Sequence, residues 1–155
     1  METSIKVLPE MNAVCFEAYS PDSEIKAFNS MKTWMKDSNL IDSPYRIFGY
    51  NIDSHGNLSY DPQHAGYKVL LYIDYSNIDL TDIKTEVIKP GKFLVTRTEG
   101  KIENVGQWLM EGWTKVNKTI QDEKLKVKSY PRWFEEHIRT QKPDYMQVDL
   151  YIEIE

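Results

Sequence analysis

The chain nearly repeats itself, and that repetition constrains its fold more than any figure of composition. Ser43-Pro44-Tyr45-Arg46-Ile47-Phe48-Gly49-Tyr50-Asn51-Ile52 can be laid on Ser129-Tyr130-Pro131-Arg132-Trp133-Phe134-Glu135-Glu136-His137-Ile138, with serine, arginine, phenylalanine and isoleucine in register. Lys68-Val69-Leu70-Leu71-Tyr72-Ile73-Asp74 matches Gln147-Val148-Asp149-Leu150-Tyr151-Ile152-Glu153 in the same way, and Met31-Lys32-Thr33-Trp34 matches Met110-Glu111-Gly112-Trp113. Two copies of one supersecondary unit are expected. Each is too small to bury much apolar surface alone, so the pair should share one core about a pseudo-two-fold axis.

The pattern within each copy is strand, helix, strand, strand. Apolar and β-branched residues predict a strand over 12–18. Ser20-Pro21 then reads as an N-cap and first helical residue, followed by the stripe Ile25, Phe28, Met31 and Met35 with Trp34 at its edge. Strands are predicted over 45–52 and 67–73, separated by the polar loop 53–66, and 76–82 reads as the linker. The order restarts with a strand over 87–98, interrupted at Pro90-Gly91. A helix over 102–121 follows, with the stripe Val105, Leu109, Gly112, Trp113, Val116 and Ile120. Strands over 129–138 and 145–154 complete it. This is an α+β class, one domain of 155 residues built from pseudo-repeats at about 4–75 and 83–155, an antiparallel sheet with two helices on one face.

Strand alternation sorts the side chains. Val148, Leu150, Ile152 and Ile154 should face the helices, and Gln147, Asp149, Tyr151 and Glu153 the other way, with Lys68, Leu70, Tyr72 and Asp74 on the equivalent face of the first copy. Phe134 and Phe48 are expected beneath the helices with Leu150 and Leu71. Trp133, Glu135 and His137 then share the opposite face. A carboxylate among aromatic rings is costly to desolvate unless a cation or donor meets it, which marks Glu135 as a recognition point for a greasy cation. Ile47 and Gly49 hold the equivalent positions in the first copy, where the glycine would leave room. Trp108 lies off the helix stripe and is placed either at one end of a groove or at a partly exposed interface.

These residues resemble the GyrI-like effector-binding domain, which also forms the drug-sensing half of some AraC- and MerR-type bacterial regulators. The resemblance rests on the tandem β-α-β-β order, on Trp133-Phe134-Glu135-Glu136-His137 and on Val148-Asp149-Leu150-Tyr151-Ile152-Glu153-Ile154, and it spans nearly the whole chain. Phe134-Glu135 and Asp149-Leu150-Tyr151-Ile152 match the late signature of that family, while His137 stands where the family more often has tyrosine. The resemblance implies a groove between the repeats, on the sheet face away from the helices, that binds amphipathic, often cationic, aromatic compounds. It also implies that Glu135 meets the ligand's charge. Trp133, His137, Tyr72, Tyr151, Asp149, Ile47 and Trp108 are the further candidate contacts, the aromatic ones through cation–π attraction.

Three function classes follow: a stand-alone module that senses or sequesters a lipophilic cation, a hydrolase, or an inhibitor of a topoisomerase acting through a protein interface. Some GyrI-like proteins open the strained cyclopropane of DNA-alkylating natural products. That chemistry needs a carboxylate such as Glu135 to activate water and a donor such as Tyr72, Tyr151 or His137 for the developing oxyanion. Glu135 with Asp149 is a possible carboxylate pair.

Other chemistries lack their residues. A formal net charge of −5 argues against a non-specific grip on nucleic acid, and no helix-turn-helix precedes the first strand. His55, His64 and His137 are too dispersed for a metal site, and Cys15 is the only cysteine. No phosphate-binding glycine loop or other cofactor motif is present, so no cofactor is expected. The absence of a signal-peptide pattern or a long apolar run gives a cytoplasmic, non-membrane expectation.

Overall fold

Alternating strands and two apolar helix stripes produce the expected α+β antiparallel fold. The computed structural model describes residues 1–73 and 78–155. The chain divides into a first unit, Glu10–Ile88, and a second unit made of Met1–Pro9 with Lys89–Glu155. The expected direction of Asp74, the end of the first repeat at residue 75 and the start of the linker at 76 lie outside the described residues.

The first unit contains β2 (Met11–Tyr19), α1 (Ser23–Asp37), β3 (Tyr45–Ile52), β4 (Gly66–Ile73) and β5 (Thr85–Ile88); its strands run β3-β4-β2-β5, all antiparallel. The second contains β1 (Thr3–Leu8), β6 (Gly91–Lys101), a 3-10 turn (Ile102–Asn104), α2 (Val105–Asp122), β7 (Trp133–Ile138) and β8 (Tyr145–Glu153), ordered β1-β6-β8-β7. The edge strands are exchanged. β1 precedes β2 in the chain yet pairs with β6, and β5 precedes β6 yet pairs with β2. The break expected at Pro90-Gly91 is where β5 ends and β6 begins.

Each helix covers its own sheet. Met31, Met35 and Ala27 of α1 pack on Val14, Phe16, Val69 and Leu71. α1 starts at Ser23 rather than at Ser20-Pro21, and Ile25 of the predicted stripe is instead exposed, because the buried row is Ser23, Ala27, Met31 and Met35 and Ile25 lies across the helix from its first two members. In α2 the buried residues are Trp108, Gly112, Val116 and Thr119, a stripe turned by about one residue from the predicted one. Gly112 lets the helix approach closely, since a Cβ there would lie 2.7 Å from Leu150 Cδ1. Trp108 is therefore core, 7% exposed, with its indole N–H donating to the Lys101 carbonyl at 2.9 Å. The expected groove-end or interface position is corrected.

The helix correspondence also shifts. Met31 is buried and Met110 is exposed, so the buried 27, 31 and 35 of α1 answer to 108, 112 and 116 of α2. Trp133 stands opposite Ile152, whereas Ile47 stands opposite Leu71, whose sequence mate is Leu150. That two-residue offset preserves which face each side chain takes. No helix among the described residues is long and apolar enough to cross a membrane.

Candidate functional site

β7 carries the candidate site, and its entry is fixed by Arg132. The guanidinium donates to both Glu153 oxygens, at 3.1 and 2.9 Å, and to the carbonyls of Lys89 and Pro90, at 2.7 and 3.1 Å. It also lies over the Phe93 ring, 5.1 Å from its centroid. Burial alone would raise the Glu153 carboxyl, but the Arg132 hydrogen bonds, helped by Lys128, overturn this and hold it at about 2. A two-pronged Arg–carboxylate pair of this kind fixes direction as well as distance.

From that anchor the pleat sends Trp133, Glu135 and His137 to the helix side of the second unit. The Trp133 ring meets the Trp113 ring of α2 edge to face, at 5.9 Å and 88°. This reverses the expected assignment, in which Phe134 lay beneath the helix. Phe134 occupies the opposite face, 4.8 Å from the Tyr151 ring and 5.1 Å from Phe93, and is buried there. Phe48 is likewise buried on the opposite face of β3, with Arg46 over its ring, while Ile47 enters the helix-side core of the first unit. The face away from the helices is thus an aromatic packing surface at Phe134, and not the open side of the sheet.

Trp133, Glu135 and His137 are all half-buried. His137 Nε2 lies 3.7 Å from Glu135 Oε2. Burial pushes the imidazole down to about 4, against the opposing charge of Glu136, so at neutral pH His137 is uncharged and this approach is not an ion pair. The face therefore combines a carboxyl, a neutral imidazole and two indole rings.

Within the second unit, Tyr151 and Asp149 are not brought to it. Tyr151 is fully buried on the opposite face and donates to Glu136 at 2.6 Å. Asp149 is buried on that face too, held by the Arg97 guanidinium at 2.8 and 3.0 Å, so it does not pair with Glu135. Tyr72 belongs to the first unit, where it is 38% exposed and lines a cleft of about 720 Å³ with Tyr45, Arg46 and Val87. Gly49 leaves no room, because the Tyr67 ring of its own unit occupies the space a Cβ would take. Trp113 was expected only as part of the helix stripe. Its site position follows from the one-residue turn of α2 that takes Trp108 inward and leaves Trp113 at the rim.

Within the first unit Cys15, Glu17 and Glu86 bring possible metal-ligating atoms within 4.8 Å of one another. Lys68 already supplies the cation there, its ammonium 2.9 Å from Glu86 and 3.4 Å from Glu17. Burial alone would lower that amine, but the Glu86 hydrogen bond reverses the shift, while burial pushes the Cys15 thiol up to about 12. A protonated thiol beside a fixed ammonium is a poor metal ligand.

No family model and no curated protein sequence matches the chain. Solved structures do. The EcmrR C-terminal domain matches over 99% of this chain and 97% of that one, with TM-score 0.66 and 12% identity. In an EcmrR–DNA complex the match covers 99% of this chain but 57% of the other, with TM-score 0.68 and 12% identity. SAV2435 bound to tetraphenylphosphonium matches over 100% and 94%, with TM-score 0.57 and 10% identity. A hydrolase encoded by lin2189 from Listeria innocua matches over 99% and 92%, with TM-score 0.58 and 12% identity. The chain shares the fold of these structures, the GyrI-like fold that its sequence led one to expect.

Proposed function

We propose that this protein is a binding module for amphipathic small molecules, and that its preferred ligands are aromatic cations. One observation carries the reading: the half-buried Glu135 carboxyl shares a strand face with the edge-to-face Trp113–Trp133 pair. Indole faces attract a cation by roughly 0.5–2 kcal/mol each according to solvent exposure, and a carboxylate supplies the countercharge. The neutral His137 adds no positive charge that would compete. The likeness in fold to SAV2435, which binds tetraphenylphosphonium, supports the same ligand class. The test is calorimetric titration with tetraphenylphosphonium and with neutral triphenylphosphine oxide. The cation should bind more tightly, and equal affinity for the two would remove Glu135 from the account.

A second reading is hydrolysis of reactive cyclopropane-bearing compounds, with Glu135 activating water. It is supported by the 3.7 Å approach of Glu135 to a neutral imidazole, a potential base beside an N–H donor, and by the hydrolase from Listeria innocua with this fold. Of the three donors considered for that chemistry, only His137 shares the face of Glu135. Product analysis by mass spectrometry after incubation with such a compound distinguishes turnover from binding.

A further inference from the structure

The outer edge of the second unit is built in a way the ligand site does not use. β1 is the end strand of its sheet, paired only with β6 among the described residues. Arg97 N–H donates to the Glu2 carbonyl, so the even-numbered residues of β1 bond inward to β6. Alternation then directs the N–H and C=O of Thr3, Ile5 and Val7 outward. Natural edges are usually blunted by charged side chains, lysine above all, or by proline, bulges or a covering loop. Here Lys6 is the one charged residue within β1, and Ile5 and Val7 are 48% and 73% exposed. Ile5 stands opposite Leu94, on the helix side. There α2 and the chain start form a groove of about 550 Å³ lined by Met1, Met110, Thr114 and Lys118, with both methionines exposed.

We propose that β1 is the docking edge for a second copy of this chain, joined antiparallel across a two-fold axis at Ser4. The charge pattern selects that occupant and that register. With Ser4 opposite Ser4, Glu2 of each copy faces Lys6 of the other, giving two cross-strand ion pairs from one symmetric contact. The same register sets Thr3 opposite Ile5 as hydrogen-bonded pairs, which matches their outward N–H and C=O groups. Sliding by two residues would place Glu2 opposite Leu8 and Lys6 opposite Ser4, losing both ion pairs. The exposed Ile5, Val7 and Met110 side chains lie on the same side as α2, where two copies would cover them together.

The experiment uses the full chain in sedimentation equilibrium and mild oxidation. The wild type should sediment as a dimer. Lys6→Glu should weaken association about tenfold or more, because two attractive pairs become repulsive. Glu2→Lys combined with Lys6→Glu should restore it. Ser4→Cys should form an intermolecular disulfide, since residues opposite each other without hydrogen bonds have Cα atoms about 4.5 Å apart, within disulfide reach. Lys6→Cys alone should not, and the buried Cys15 leaves the wild type uncrosslinked. A monomeric wild type, a double variant no better than Lys6→Glu, or equal crosslinking by Ser4→Cys and Lys6→Cys would each overturn the proposal. The first of these would make Lys6 a guard of the edge.

Discussion

Tyr151 Oη donates to Glu136 Oε1 at 2.6 Å, and both residues are buried on the sheet face opposite Glu135. One strand thus carries two adjacent glutamates with separate work: Glu136 is tied into packing, and Glu135 lies with the tryptophans. Tyr151→Phe removes the donor from a buried acceptor and should cost about 1–3 kcal/mol, read as a lower denaturant midpoint. Tetraphenylphosphonium affinity should stay within about twofold, because nothing on the Glu135 face has changed.

Phe134→Ala should cost about 3–5 kcal/mol, the range for emptying an enclosed aromatic site. Phe134 is 5% exposed and touches both the Phe93 and Tyr151 rings, so the hole would be lined on two sides by rigid neighbours that cannot collapse into it. Chemical denaturation measures this. A loss under about half a kcal/mol would contradict the closed aromatic face.

Acid should destabilise the fold in two separable steps. His137 titrates at about 4 when folded against 6.5 unperturbed, so the unfolded chain takes up the proton first and stability falls as pH drops from about 6.5 to 4. Glu153 is held at about 2 against 4.5, so its contribution is present above 4.5 and is lost between there and 2. His137→Gln should flatten the upper step alone. Arg132→Met should shrink the lower one without abolishing it, because Lys128 and the backbone N–H of residue 132 still meet Glu153, and should cost about 1–3 kcal/mol at neutral pH. Melting temperature against pH for the three proteins reads both steps.

Local pattern made β3 legible to the residue, along with the two faces of β8, because alternation and turn residues bound them. The expected strand over 129–138 starts only at Trp133, since the left-handed Tyr130 and the N–H-less Pro131 keep its first residues out of the ladder. The pattern did not reveal which face of β7 meets the helix. Phe134 and Trp133 are both large and apolar, so period two groups Trp133 with Glu135 and leaves the direction open. Trp108 was misplaced for a related reason: α2 has apolar residues around more than half its circumference, and the close approach allowed by Gly112 decides which of them face Leu150. β1 escaped because its partner β6 is far off in sequence and its exposed Ile5 and Val7 give it no buried face of its own.

Glu135→Gln separates binding from catalysis. The substitution keeps the shape and removes the charge that a cation would meet. In a binding module, tetraphenylphosphonium affinity should fall by about 1–3 kcal/mol, the range for charged hydrogen bonds and unmatched buried groups, while a neutral ligand of like shape changes little. In a hydrolase the same change leaves substrate binding largely intact and collapses turnover, since the base and not the anchor is lost. Trp133→Ala should weaken cations and neutral aromatics together, because it removes a ring that both use, and Trp113→Ala should act in the same direction through the edge-to-face contact. His137→Gln serves as the control on the same face: a side chain already neutral at pH 7 supplies no countercharge, so cation affinity should hold. Calorimetry on the four variants with single-turnover kinetics on Glu135→Gln reads every branch, and unchanged affinity together with unchanged turnover in Glu135→Gln would exclude that residue from both roles.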